Sequence, residues 1–265
     1  TDGAGVKLVR VLGNLTTKEF DPILMLDSFD SINPDDYTAG FPMHPHRGIE
    51  TISYVSRGKM VHRDSLGNEA GISDGEVQWM NSGSGIMHEE MVPAAERLLG
   101  VQLWLNLPAK DKMSKPSYNS IKNEDIKEIE IEGGKIRLLA GKYGEHEGYK
   151  GDYLSMDYYD IHLNADAEVT LTMEEDDSVM VFTLLGDVYI DGEHIEEKTA
   201  VKLTEGDSLT IKNGNEKAQV LYMNSRALNE PVAWAGPIVM NTQEELQKAF
   251  LELRSNTFIK ETAEY

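Results

Sequence analysis

Hydrophobic positions along this 265-residue chain fall mostly in short runs, alternating or continuous, separated by Gly, Asn and Asp turn residues. Such runs occupy residues 7–12, 49–56, 77–81, 99–105, 126–131, 136–140 and 157–163, and again 168–173, 179–185, 187–190, 200–203, 208–212 and 219–223. Short strands at that spacing predict a sandwich or barrel rather than βαβ units. In residues 99–105, Leu99, Val101, Leu103 and Leu105 share one face, and Gln102 and Trp104 the other. One long helix is predicted near the end: Thr242 with Glu245 is a capping-box pair, and Leu246, Ala249, Phe250 and Leu253 form an apolar stripe. Pro231, Pro237 and the apolar stretch 232–240 precede it, so the tail reads as a strap that packs back on a barrel.

A polar stretch with Pro108, Lys110, Lys112, Lys115 and Pro116 reads as a connecting loop between two strand sets, and Gly133-Gly134 as a hairpin or the boundary itself. A faint repeat supports two related β-domains. Gly58 is followed by Asp74-Gly75-Glu76, and Gly186 by Glu205-Gly206-Asp207, each time at a turn between strands. The predicted organisation is a first β-domain over residues 1–132, a second over 133–230 and the tail over 231–265.

Composition narrows the classes of function. The formal charge is −21, from 46 acidic and 25 basic residues, and a surface so negative repels phosphate backbones and anionic lipids. Direct nucleic-acid binding and membrane association are therefore not expected. No stretch approaches the roughly 20 apolar residues of a membrane span, and the N-terminal residues have no signal-peptide pattern. The chain starts at Thr1 rather than Met, which leaves room for a lost leader or a few native residues. With no cysteine, disulfides, thiolate metal sites and cysteine nucleophiles are excluded, and a cytoplasmic setting fits.

The stretch from Phe41 to Glu50, FPMHPHRGIE, carries the chemistry. Alternate residues of a strand face one way, so His44, His46 and Glu50 can point into one cavity, two imidazoles about 6–7 Å apart along the backbone. His88 and Glu90 repeat the same spacing after a Gly-rich turn, Gly83-Ser84-Gly85, that can return the chain beside the first strand. Three imidazoles and a carboxylate suit Fe(II), Mn(II), Ni(II), Cu(II) or Zn(II) better than Mg or Ca. Arg47 lies on the opposite face from the imidazoles and reads as structural; Glu174-Glu175-Asp176-Asp177 reads as a solvated turn. His62 is either a turn residue or a group beside the cavity, touching substrate or supporting a ligand.

Residues 44–51 and 77–90, together with the tail from Glu230 to Thr242, resemble the pirin family of bicupins. The resemblance implies an all-β fold of two tandem cupin (jelly-roll-type) β-barrels with a C-terminal helical tail. It implies one divalent metal, most often iron(II), in the first barrel, with His44, His46, His88 and Glu90 as ligands and a second barrel without metal. His146, His162 and His194 form no HxH pair and read as surface or structural residues. Glu50 competes with Glu90 for the acidic position. Some pirins cleave flavonols such as quercetin with O2 and release carbon monoxide; for such a reaction Glu90 would also be the general base. Trp79, Met80, Ile86 and Met87, with His62, would wall the pocket for a planar aromatic substrate. Other pirins regulate by binding a protein partner, so a non-enzymatic iron or redox sensor is the competing expectation.

Overall fold

The computed structural model describes residues 1–262, and the chain divides into two units built from antiparallel strands. The first unit comprises Thr1–Lys18, Ile23–Lys122 and the chain from Leu228; the second comprises Glu19–Pro22 and Asn123–Ala227. No helix among the described residues is long and apolar enough to cross a membrane.

In the first unit the strands are β1 (Val9–Leu12), β2 (Ile23–Ser31), β3 (Phe41–His46), β4 (Ile49–Arg57), β5 (Lys59–Asp64), β6 (Glu69–Ser73), β7 (Glu76–Asn81), β8 (Ile86–Met91), β9 (Leu98–Asn106) and β10 (Ser117–Ile121). They form a six-stranded sheet, β1-β2-β9-β4-β7-β10, and a four-stranded sheet, β3-β8-β5-β6. All nine residues of β9 are buried, as are eight of the nine in β4, which explains why neither strand alternates cleanly between apolar and charged residues. In β8 the pattern is different: Ile86, His88 and Glu90 are buried while their neighbours are half-buried or exposed. That strand has one inner and one outer face.

The second unit repeats the plan with a six-stranded and a four-stranded sheet around a core that includes Ile136, Ile161, Val181, Ile211 and Val220. Gly58 and Gly186 occupy equivalent turns, each leaving a strand of the larger sheet for one of the smaller at positive φ. The second half of the sequence repeat is not equivalent. Gly75 leads from the smaller sheet back to the larger one, whereas Gly206 leads from the larger to the smaller.

The tail forms a hairpin, Ala233–Ala235 with Ile238–Met240, and then the helix α1 (Gln243–Arg254). Both bonds of the capping box are present, Glu245 N–H to Thr242 Oγ1 at 3.2 Å and Thr242 N–H to Glu245 Oε2 at 3.0 Å. The hairpin uses both faces. Ile238 and Met240 pack with Leu246, Ala249 and Phe258 of the tail itself, whereas Val239 joins Leu24, Met25, Ile49 and Trp104 of the larger sheet. Backbone pairing adds to this, with Val239 N–H donating to the Arg47 carbonyl at 3.1 Å. Gly48 is required at that crossing: its φ is +81°, and a Cβ there would stand 1.9 Å from the Val239 carbonyl oxygen.

Candidate metal centre

The centre is built on three neighbouring strands of the smaller sheet. Across β3 and β8, His44 pairs with His88 and His46 with Ile86; across β8 and β5, His88 pairs with Asp64 and Glu90 with His62. Directly paired residues share a face. Each strand therefore sends two groups inward at i, i+2: His44 and His46, His88 and Glu90, His62 and Asp64.

His44, His46 and His88 each offer a ring nitrogen within 4.8 Å of the others. The hydrogen bonds on the far side of two rings determine which nitrogen that is. His44 Nδ1 lies 2.8 Å from the Pro42 carbonyl and His46 Nδ1 lies 3.0 Å from the Pro237 carbonyl. A carbonyl only accepts, so both Nδ1 atoms carry the proton and both Nε2 atoms present lone pairs. Those two Nε2 atoms face each other at 3.1 Å. His88 Nε2 is buried and has no hydrogen-bond partner. Two opposed lone pairs and one orphaned nitrogen are unfavourable unless a cation or a hydrogen-bond donor lies among them. The donor set fits a divalent transition metal. Burial, followed by the neighbouring His44, lowers the pKa of His46 to about 3, and burial also pushes His88 well below the ordinary imidazole value. Both rings are thus neutral at physiological pH.

His44, His46 and Glu90 line a cavity of about 600 Å³. The Glu90 carboxylate is turned to two carboxamides: Gln102 Nε2 donates to its oxygens at 3.0 and 3.2 Å, and Gln78 Nε2 donates to Oε1. Ser53 Oγ accepts from Gln102 Nε2 at 2.9 Å on the same inner face. Among the described residues, the convergent ligand group consists of the three histidines, with Glu90 beside it in the cavity wall. Glu50 is placed elsewhere. Gly48 breaks the strand after His46, so the alternation does not carry through, and Glu50 lies on the face of β4 opposite Ser53 with its Oε1 accepting from Trp79 Nε1 at 3.1 Å.

The cavity wall also differs from the sequence-based expectation. Trp79, Met80, Ile86, Met87 and His62 are not among its lining residues, which include Met25, Phe41, Trp104, Trp234 and Pro237. Trp79 shares the outer face with Glu50, Met80 and Ile86 are core residues at 1% and 0% exposure, and Met87 is at an odd position of β8, facing away from His88. Trp104 meets the His46 ring edge-on at 5.1 Å and lies 5.5 Å from Trp234. Its signal was in the sequence, since Gln102 and Trp104 form the non-aliphatic face of β9. Trp234 and Pro237 arrive from the tail, and no local pattern places them here. At another part of the wall Arg10 grips Asp27 with two bonds of 2.9 and 2.8 Å and reaches Asp2 at 2.6 Å.

Arg47, next to His46, is 2% exposed and points into the tail: Nε donates to the Ser84 carbonyl at 2.7 Å, Nη2 to the Phe258 carbonyl at 2.9 Å, and the guanidinium pairs with Glu252 at 2.7 Å. Of the remaining histidines, His162 bonds Asp160 at 2.8 Å, His194 bonds Asp187 at 3.0 Å, and His146 is exposed.

Comparison with known proteins agrees with this architecture. Residues 5–105 match the family model Pirin, and residues 158–259 match the Pirin C-terminal cupin domain. The chain belongs to the pirin family. It is 35% identical to Pirin of Homo sapiens over 265 residues, covering 96% of this chain and 89% of that one. A Pirin-like protein of Caulobacter vibrioides is 37% identical, over 97% of this chain and 95% of the relative. Among solved structures, Quercetin 2,3-dioxygenase from Acinetobacter baumannii superposes with a TM-score of 0.88 at 31% identity, covering 97% of this pirin and 93% of that chain. The fold is accordingly two cupin domains in tandem, followed by a helical tail.

Proposed function

We propose that this pirin is a metal-dependent dioxygenase acting on flavonols such as quercetin, with one divalent transition metal, iron(II) by preference, held by His44, His46 and His88 and with Glu90 as the fourth ligand. The observation that carries this reading is the convergence of three ring nitrogens, two of them opposed lone pairs at 3.1 Å from His44 and His46 in the wall of a cavity of about 600 Å³. That volume is within the usual range for small-molecule sites. A redox-active metal at this position would supply Lewis acidity and electron transfer to dioxygen chemistry.

The chain's own residues supply the rest. Trp104, Trp234 and Phe41 give the cavity flat apolar surfaces that favour a planar aromatic ring. Glu90, in the cavity wall with His44 and His46, takes the proton from a substrate hydroxyl; Gln78 and Gln102 hold its carboxylate in place for that transfer. A cytoplasmic setting is consistent with the absence of cysteine. The similarity to the Quercetin 2,3-dioxygenase from Acinetobacter baumannii supports the choice of substrate.

The test is carbon monoxide release and O2 uptake by Fe(II)-loaded protein given quercetin, beside metal-free protein and Glu90→Ala. Stoichiometric CO that disappears in both controls is the expected result. No CO from protein that holds one iron would overturn flavonol cleavage and favour a regulator that binds a protein partner.

A further inference from the structure

The third inward pair of the smaller sheet, His62 and Asp64 on β5, takes no part in the cavity. Both side chains are 0% exposed. His62 Nε2 lies 2.7 Å from Asp64 Oδ2, and His62 Nδ1 lies 3.3 Å from His88 Nδ1. Tyr118 stacks on the His62 ring at 4.0 Å, with 13° between the planes, so the ring is held in that orientation.

We propose that His62 and Asp64 form a buried relay behind His88 that fixes which nitrogen of the His88 ring is left free for the metal, making both positioning residues of the centre. The inference rests on the metal-site reading above. The direction of each bond follows from donor and acceptor chemistry. Asp64 accepts, so His62 Nε2 carries a proton, and in a neutral ring Nδ1 is then an acceptor. With His62 neutral, His88 donates from Nδ1, which leaves its Nε2 lone pair bare. That atom is the buried nitrogen without a partner. His44 and His46 receive the same orientation from backbone carbonyls, whereas His88 receives it through a second imidazole from a carboxylate. Burial raises the Asp64 carboxyl, but bonds from His62 and Asn68 outweigh it and leave the group below its ordinary value. A negative charge at the end of the chain increases the donor strength of His88, the usual effect of a carboxylate behind a ligating histidine.

Asp64→Asn tests the direction of the relay. Oδ1 accepts two backbone N–H groups, from Leu66 and Asn68, while Asn68 Nδ2 is shared between Oδ1 and Oδ2, so an asparagine keeps its oxygen at the Oδ1 position and turns its NH2 toward His62. His62 would then accept at Nε2 and carry its proton at Nδ1. His88 Nδ1 would become the acceptor, and its proton would move to Nε2, the ligating atom. Two readouts on the full-length protein separate the possibilities: long-range 1H–15N NMR of the metal-free form for the His88 tautomer, and Co(II) affinity by chelator competition with its visible spectrum. The expected result is a reversed His88 tautomer in Asp64→Asn and Co(II) binding weakened about 10- to 100-fold. His62→Gln, whose carbonyl can still accept from His88 Nδ1, should bind Co(II) within a few-fold of wild type, and His62→Leu should not. If Asp64→Asn fails to fold, the contrast between these two variants decides. A wild-type Nδ1-protonated His88 that Asp64→Asn leaves unchanged, with equal Co(II) affinity, would overturn the relay alone. Wild-type protein that binds no Co(II) would overturn the metal site and the relay together.

Discussion

Gln102 holds Glu90 in place beside the three histidines. Its carboxamide donates to both Glu90 oxygens and to Ser53 Oγ, all among buried residues. Gln102→Leu would leave the carboxylate with fewer partners, and a buried acceptor that loses its donor costs about 1–3 kcal/mol. The expected outcome is a fall in kcat on quercetin of about tenfold or more with metal content preserved, measured by CO release per bound iron. Equal turnover would show that Glu90 needs no such cradle. Arg47 is the opposite case, a buried ion that touches no cavity wall. Arg47→Met removes a guanidinium with two carbonyl partners and Glu252, and the breaking of a buried pair typically costs about 3–5 kcal/mol. Urea unfolding should record a loss of that order.

At the scale of elements, the strap from Ala233 to Met240 is part of the centre. It provides the Pro237 carbonyl that orients His46, the Trp234 wall and the close crossing at Gly48. Gly48→Ala should therefore reduce metal content as well as stability, since a Cβ cannot coexist with the Val239 carbonyl. Thr242→Ala, which only uncaps α1, should cost about 1 kcal/mol and leave metal content unchanged. Metal analysis of the two variants, beside their urea midpoints, checks the contrast. These elements also show what the sequence made legible. The i, i+2 pairs at His44 and His88 and the Thr242–Glu245 cap are local patterns, and local geometry realises them. The alternation that would align Glu50 with His44 and His46 is interrupted at Gly48, and Glu50 accepts from Trp79 instead. Trp234 and Pro237 were unreadable as site residues because tertiary packing brings them there; Pro237 is 191 positions from His46. His62 was visible, but its role depends on the pairing of β5 with β8, which no spacing encodes.

For the molecule as a whole, burial of neutral histidines couples stability to pH. His46 titrates at about 3 in the native state against an ordinary value of 6.5, and His88 is shifted the same way. Between those values the unfolded chain binds more protons than the native one. The metal-free protein should therefore lose stability as pH falls from about 6.5, by up to about 1.4 kcal/mol per pH unit for each histidine. Urea midpoints at pH 7.5 and pH 5 measure this, and a His46→Asn, His88→Asn variant should show a flatter dependence. A wild-type midpoint that does not move would contradict the assigned burial. Among the described residues, the convergent group of possible ligands lies in the first cupin unit. One metal is thus expected to bind there, through His44, His46 and His88. Anaerobic titration with Fe(II), with metal content determined after desalting, tests it most directly for the wild type and for His88→Ala. One iron per chain in the wild type and little or none in the variant is the expected result; equal iron in both, or none in the wild type, would contradict it.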